Sequence, residues 1–401
     1  MKLKNQLKNK TVVIGVSSSI AAYKSVSLVS DLKKLGLNVI VLMTKNATEL
    51  VAPLTFETIS KNKVYFDTFS RDYTFDVHHI SIAKQADVFV VCPATANVIA
   101  KMANGIADDM LTTSFLAFKC PVLVAPAMNT AMFENIATQT NLETLKNRGI
   151  EIIEPEVGVL ACEDVGKGRL ADLDTIKEHI IRALSPKDFK GKKVLVTAGA
   201  TKEAIDPVRF ISNHSTGKMG YSLAKAAAYR GAEVTLISGE TNLSCPPFCK
   251  RIDIVSAEDM YNEVVKIKDD FDYIIKSAAV ADFTPATVMS EKIKKSSSDS
   301  SSIELKKTKD ILSYLGKTKK QGQVLCGFSM ETENTIENSK KKLTTKNCDM
   351  IVANNLKTAG AGFGHDTNVA SLILKDEVID LDIMSKEELS DIILDKLLLI
   401  K

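Results

Sequence analysis

Several features that would announce a function are missing from this sequence, and each absence removes a class. There is no CxxC pair and no metal-type cluster: the seven cysteines, Cys92, Cys120, Cys162, Cys245, Cys249, Cys326 and Cys348, are scattered and odd in number. That pattern reads as free thiols in a reducing compartment, not as a disulfide framework or a zinc site. No run approaches the ~18 apolar residues of a membrane span. The start MKLKNQLKNK leads into TVVIGV, but Ser17, Ser18 and Ser19 interrupt the apolar run at once, unlike a signal peptide. A cytoplasmic protein with no membrane partner is expected. An excess of one charge is lacking too: 52 Lys and Arg against 49 Asp and Glu leave a net +3. Composition therefore makes no case for nucleic acid, and any basic site must be local. A GxGxxG run is also missing, which disfavours a dinucleotide.

What is present points to two ordinary globular domains. The 401 residues are 45% apolar and 25% charged, enough for two units of about 200 residues, each burying its own core. Short β-branched runs alternate with helical patterns, which predicts an α/β protein of two three-layer sandwiches with mainly parallel sheets, the second Rossmann-like. Strands are expected at Thr11 to Val16, Leu37 to Met43, Asp87 to Cys92, Val122 to Ala125 and Ile150 to Ile153. Ile20 to Leu35 reads as a helix stopped by Gly36, and Asp174 to Leu184 as another. The polar stretch Ser185 to Gly191 sets a boundary near residue 190 and domains of 1–190 and 191–401. Further strands are expected at Lys193 to Thr197, Val234 to Ser238, Tyr273 to Ile275, Val324 to Cys326 and Met350 to Val352. A hairpin follows over Val369 to Leu374 and Val378 to Leu381, and Lys386 to Leu399 is a closing helix. Ser296 to Ser302 has nothing to bury and reads as a mobile loop and candidate lid.

In the first half, the strand-to-helix turn Gly15-Val16-Ser17-Ser18-Ser19 offers backbone N–H groups and hydroxyls to a phosphate, or serves as a simple N-cap. A mononucleotide such as FMN fits it better than a dinucleotide. Thr44, Pro93 to Asn97 and Pro126 to Asn129 follow other strands and should share that sheet edge. The ordered motifs GVSSSIAAYK, HHISIAKQAD, PATAN, GIADD and PAMNTAMF resemble those of the flavin-dependent cysteine decarboxylase family, over about residues 10 to 183. The resemblance implies a flavodoxin-like fold, trimers, and FMN at subunit contacts near Gly15, Ser17, Ser19, Thr44, Thr95 and Asn97. It implies His79 as the active-site histidine, with His78 the out-of-register competitor, and Asn129 as the residue binding the substrate carboxylate. Phe133 stands where the family more often has Trp, which bears on contact with the acyl chain. Leu160 to Arg169 resembles the family's substrate flap, with Cys162 as proton donor and Glu163 in place of a more usual Gly.

In the second half, Thr197-Ala198-Gly199-Ala200-Thr201 is again a phosphate-type turn. The run Ile205-Asp206-Pro207-Val208-Arg209-Phe210-Ile211-Ser212-Asn213-His214-Ser215-Thr216-Gly217-Lys218-Met219-Gly220 resembles the signature of bacterial phosphopantothenate-cysteine ligases, and the likeness extends over about residues 190 to 395. It implies a substrate-binding Arg209 and a catalytic Asn213 that handles an acyl-nucleotide intermediate. It also implies CTP contacts from Ser277, Ala278, Ala279, Asp282, Lys292, Thr308, Asp310, Phe328, Lys342 and Lys346, with Lys292 catalytic. Lys309 replaces a usual Pro. Lys342 and Lys346 are four apart, hence on one helical face suited to phosphates. Magnesium is expected on the triphosphate, because no carboxylate cluster has metal spacing. Trimeric first halves and dimeric second halves imply a closed dodecamer.

Two other readings compete: a non-catalytic flavin-binding regulatory or interaction protein, and a flavin oxidoreductase tethered to an unrelated nucleotide enzyme. Retention of His79, Asn129 and Cys162 beside a full ligase half disfavours the first. The second leaves unexplained why both halves resemble consecutive steps of one pathway: ligation of cysteine to 4'-phosphopantothenate, then decarboxylation of the product to 4'-phosphopantetheine.

Overall fold

Runs such as TVVIGV and VFVVCPA have no polar face to offer water, and both are buried along their whole length, as strands covered by helices on two sides must be. A computed structural model describes residues 7–69, 77–159, 164–293, 302–331, 334–355 and 366–400. The chain forms two compact units, Met1–Ser185 and Pro186–Lys401.

In the first unit Thr11–Val16 (β1), Asn38–Met43 (β2), Val64–Tyr65 (β3), Val88–Ala94 (β4), Val122–Pro126 (β5) and Glu151–Ile152 (β6) make one parallel sheet in the order β3-β2-β1-β4-β5-β6. Without the two-residue edge strand β3, that is the flavodoxin-like order. The helices are Ala22–Lys34 (α1), Pro53–Ser60 (α2), His78–Gln85 (α3), Ala96–Asn104 (α4), Met110–Ala117 (α5), Thr130–Glu134 (α6), Ile136–Asn147 (α7) and Leu173–Leu184 (α8). Val13, Phe89, Val91 and Val124 of the sheet meet Ile99, Leu111 and Leu145 of the helices in one core. Helix α1 starts at Ala22, later than the expected Ile20, because Ser17 to Ala22 is a tight turn with Ser19 N donating to Ser17 O at 2.9 Å and Ala22 N to Ser19 O at 2.9 Å. The segment read as a flap loop has regular arms: Glu156–Val159 (β7) and Val165–Arg169 (β8) pair as an antiparallel hairpin.

The second unit contains Lys193–Ala198 (β9), Lys202–Ala204 (β10), Phe210–Ser212 (β11), Glu233–Ser238 (β12), Cys249–Asp253 (β13), Tyr273–Lys276 (β14), Phe283–Pro285 (β15), Leu305–Lys307 (β16), Val324–Glu331 (β17), Met350–Asn355 (β18), Ala370–Ile373 (β19) and Val378–Asp380 (β20). Its main sheet runs β13-β12-β9-β14-β17-β18-β19-β20; the first six strands are parallel, the Rossmann order, and β19 and β20 add the antiparallel hairpin. Its helices are Lys218–Tyr229 (α9), Ala257–Ile267 (α10), Ile311–Lys317 (α11), Thr335–Thr345 (α12) and Lys386–Leu399 (α13). Val194 and Val196 face the layer of Ala224, Ala227, Leu389 and Ile393, whereas Leu195 and Ile274 face Met260, Leu312 and Leu343. Strand alternation thus buries every residue of the run, which is why it reads as uninterrupted apolar. Strand β17 runs well past the expected Cys326 because its pairing with β18 continues to Glu331 opposite Asn355, and Gly327 leaves room for Ile351 and Leu312, whose atoms would lie 2.8 and 2.9 Å from a Cβ there. Among the described residues no helix is long and apolar enough to cross a membrane.

Candidate active sites

Strand order reverses between β1 and β4, so the loops leaving their carboxyl ends diverge and open a crevice. A cavity of 650 Å³ lies there, lined by Ser18, Ser19, Tyr23, Thr95, Asn129, Met132 and, from the hairpin, Val159, Gly168 and Arg169. Three expected residues, Ser19, Thr95 and Asn129, therefore meet in one cavity. Ser17 acts on the protein itself, since its buried hydroxyl donates to Pro93 O at 2.8 Å and accepts from Thr95 N at 2.9 Å, tying the β1 turn to the β4 turn. Gly15 is required by the core, since a Cβ would lie 3.0 Å from Leu111 Cδ1 and 3.1 Å from Phe89 Cζ. Thr44 follows β2, and its buried Oγ1 has no hydrogen-bond partner among the described residues. Asn97 is exposed on the first turn of α4, and neither it nor His79, which is half-buried at the start of α3, lines the cavity.

The hairpin closes over the turn after β5. Asn129 accepts from Ala131 N at 2.8 Å, starting α6, and its Nδ2 donates to Asp164 Oδ2 at 2.9 Å. Met128 N donates to Gly168 O at 3.0 Å. Two glycines permit this approach: a Cβ at Gly166 would sit 2.4 Å from Thr130 Oγ1, and one at Gly168 would sit 2.4 Å from Met128 O. Cys162 and Glu163 belong to the hairpin tip and lie outside the described residues. Phe133 is 5% exposed and packs into the core with Lys167 Nζ 5.4 Å from its ring centroid, so it is Met132 that faces the cavity. A hydroxyl-rich turn and an apolar wall fit a flavin mononucleotide; the unpartnered Thr44 hydroxyl lies after the neighbouring strand β2 and does not line the cavity.

The equivalent crevice of the second unit, between β9 and β14, is closed by backbone. Ala278 N donates to Thr197 Oγ1 at 3.2 Å, Ala279 N to Gly199 O at 2.9 Å and Ala281 N to Thr201 Oγ1 at 3.0 Å, while Asn213 Nδ2 donates to Ala279 O at 3.1 Å. The amides of Ala278 and Ala279 are thus used inside the protein, and none of Ser277, Ala278 and Ala279 lines the cavity of this unit. The cavity opens beyond the end of β14: 400 Å³, lined by Lys276, Asp282, Thr308, Asp310, Lys342 and Lys346 among others. Five of the expected nucleotide residues meet there. Phe328 contributes its carbonyl, which accepts from Lys342 Nζ at 3.0 Å. Asp310 caps α11 by accepting from Ser313 N at 2.8 Å and pairs with Lys346 Nζ at 2.6 Å. Burial pushes its carboxyl up, but the bonds from Lys346 and the Ser313 N–H outweigh that and hold it below the ordinary carboxylate range.

Residues 1–185 match the family described as Flavoprotein, and residues 189–400 match the DNA/pantothenate metabolism flavoprotein C-terminal domain. The Coenzyme A biosynthesis bifunctional protein CoaBC of Bacillus subtilis (strain 168) is 48% identical over 390 residues, 96% of this chain and 95% of that protein. The chain belongs to the family of coenzyme A biosynthesis bifunctional proteins. Its counterpart from Borreliella burgdorferi is 44% identical over 96% of this chain and 98% of its own length, and that from Vibrio cholerae is 42% identical over 97% and 98%. This family member is accordingly a bifunctional enzyme, and a flavoprotein in its first half.

Two residues of this family member escaped the sequence reading. Lys276 ends the apolar strand YIIK and lines the second cavity; burial first, and the ammonium of Lys342 second, push it down to about 8. The signal was a lysine closing an otherwise apolar strand just before SAAVAD. The other is Asp206, whose side chain is fully buried; it accepts from Val208 N and Arg209 N at 2.8 Å each, from Arg209 Nε at 2.9 Å and from Ile293 N at 3.2 Å. Arg209 Nη2 also donates to Ile293 O at 3.0 Å. The Arg209 guanidinium holds the Asp206 carboxyl well below the usual range. Together the pair clamps the residue next to exposed Lys292, which does not line the cavity; Lys294, Lys295 and the candidate lid up to residue 301 lie outside the described residues.

Proposed function

We propose that residues 191–401 join L-cysteine to 4'-phosphopantothenate at the expense of CTP, and that residues 1–190 decarboxylate the resulting 4'-phosphopantothenoylcysteine to 4'-phosphopantetheine with FMN. The observation that carries this reading is the pair of separate cavities, each at the carboxyl edge of its own parallel sheet: one hydroxyl-rich and apolar, the other lined by five lysines and two aspartates.

In the ligase unit the substrate carboxylate attacks the α-phosphate of CTP, releasing pyrophosphate and forming an acyl-cytidylate, and the cysteine amine then displaces CMP. Lys342 and Lys346 neutralise phosphate charge, while Asp282 and Asp310 accept from nucleoside hydroxyls. Lys292, carried by the segment that Asp206 and Arg209 hold, stabilises charge developing on the transferred phosphorus. Asn213 orients the intermediate, and Arg209 lies beside the substrate. Mg2+ rides on the triphosphate; among the described residues no group of three His, Cys, Asp or Glu could hold a metal.

In the decarboxylase unit, bound FMN supplies reversible oxidation of the cysteinyl thiol carbon, which gives the electrons left by CO2 a sulfur to delocalise onto. Gly15, Ser17, Ser19, Thr44, Thr95 and Asn97 hold it directly or by shaping the turns. Asn129 binds the substrate carboxylate, His79 serves as active-site histidine, and Cys162 delivers the proton to the enethiolate. Exposed Ile20, Tyr23 and Met132 on the cavity rim (66%, 61% and 50%) fit a neighbouring subunit covering it. Trimers of the first unit and dimers of the second then close into a cytoplasmic dodecamer. Supplying CTP, cysteine and 4'-phosphopantothenate to the full chain should release CMP and CO2 in equal amounts. Release of neither, from a yellow and folded protein, would refute the assignment.

A further inference from the structure

We propose that Lys276 is a nucleotide-positioning residue of the ligase unit: its side-chain nitrogen, at the carboxyl end of β14, binds an anionic phosphate oxygen of the nucleotide in the cavity lined by Asp282, Asp310, Lys342 and Lys346. The proposal rests on the CTP reading of this cavity and adds to it a residue and a proton.

Strand geometry aims the side chain. Ile274 packs among Leu312 and Leu343 on one face of the sheet, and Lys276, two residues on, points the same way. Its ammonium therefore arrives where that apolar layer ends and the cavity begins. There Nζ donates to Ala278 O at 3.1 Å. The charged groups facing it are Lys342 from α12, Asp310 from the cap of α11 and Asp282 from the loop after β14. Lys346 lies beyond, on Asp310, and Lys307 and Lys309 complete the charged lining. Asp310 is engaged by Lys346 and Lys342 by the Phe328 carbonyl, and among the described residues no carboxylate is within ion-pair distance of Lys276.

A half-buried ammonium facing a like charge is held at a cost. Burial and Lys342 bring Lys276 down to about 8, so at that pH it is only partly protonated before the nucleotide arrives. A phosphate oxygen in contact would favour the cation and raise that value. A neutral base carbonyl would accept a hydrogen bond without adding charge, and would hold the proton far less. The sign follows: affinity for the nucleotide is full below pH 8 and declines as pH rises through 8 toward the higher value in the complex.

Titration calorimetry of the full-length enzyme with CTP at pH 8, in two buffers of different ionisation enthalpy, reads the proton directly. The wild type should take up about half a proton from this group. Lys276→Met should lose that uptake and bind CTP roughly tenfold or more weakly, the scale of one charge-assisted hydrogen bond. Lys276→Gln, a second neutral side chain, should do the same. Lys346→Met separates the two levels. If it weakens CTP binding while both Lys276 variants keep wild-type affinity and proton uptake, Lys276 has no such role. If neither position matters, the cavity is not the nucleotide site and the CTP reading of it falls as well.

Discussion

Gly316→Ala sets two opposed effects against each other beside Lys346, which lines the ligase cavity. Gly316 is buried within α11, and an exposed Gly→Ala change in a helix would stabilise it by about 1 kcal/mol. Here, however, an added Cβ would lie 1.8 Å from Lys346 O and 2.8 Å from Lys346 C. Reaching van der Waals distance requires a retreat of about 1.5 Å. The carbonyl has little freedom: Lys346 N donates to Lys342 O at 3.0 Å, Asn347 Nδ2 donates to Gly316 O at 2.8 Å, and Asn347 already adopts φ 50°. Overpacking of this kind costs ~1–3 kcal/mol, with so deep an overlap near the upper end, so the net loss should be about 2 kcal/mol. Because the Lys346 backbone must shift, its side-chain bond to Asp310 is disturbed, and CTP affinity should fall together with stability. Chemical denaturation of the full chain and CTP titration test both, with exposed Lys317→Ala as a control expected to change stability by less than about 0.5 kcal/mol. A Gly316→Ala enzyme as stable as wild type, with unchanged CTP affinity, would refute the argument.

Lys292→Gln should lower CMP release by roughly two orders of magnitude, a transition-state loss of ~3 kcal/mol, while decarboxylation of supplied 4'-phosphopantothenoylcysteine continues; loss of both activities would instead indicate misfolding. Cys162→Ser should still release CO2 but accumulate the oxidised enethiol product with bleached flavin, because a hydroxyl is a far weaker acid than a thiol; full 4'-phosphopantetheine formation by this variant would exclude Cys162 as the proton donor. Thr44→Val removes an unpartnered buried hydroxyl, so the FMN-free protein should be no less stable while FMN content after purification falls; undiminished yellow colour would release Thr44 from the cofactor site.

Much of the architecture follows from short-range information. TVVIGV, KVLVTA and YIIK are strands because every residue in them but the terminal lysines is buried, whichever face it takes. Lys386–Leu399 is a helix with a capping box from Ser385 to Glu388 at its start. The ordered motifs of both halves sit largely in loops after such strands, so the edge of each sheet where they gather could be read from residue order alone. The hairpin arms were not legible, because EVGV and VGKGR are held by each other and by the approach of Gly166 and Gly168 to Met128–Thr130, not by any pattern of their own.

Only packing could settle which polar groups remain available to a ligand. The same phosphate-type turn is open after β1 and shut after β9, because Thr197 and Thr201 bond to amides about 80 residues away, at Ala278 and Ala281. Arg209 shares its guanidinium with Asp206 and Ile293, and Lys276 owes its shifted charge to burial and to Lys342, 66 positions along the chain. Strand and helix formation depends on neighbours in sequence; the free donors, the cavity's position and the state of its protons depend on groups that meet only when the chain is folded.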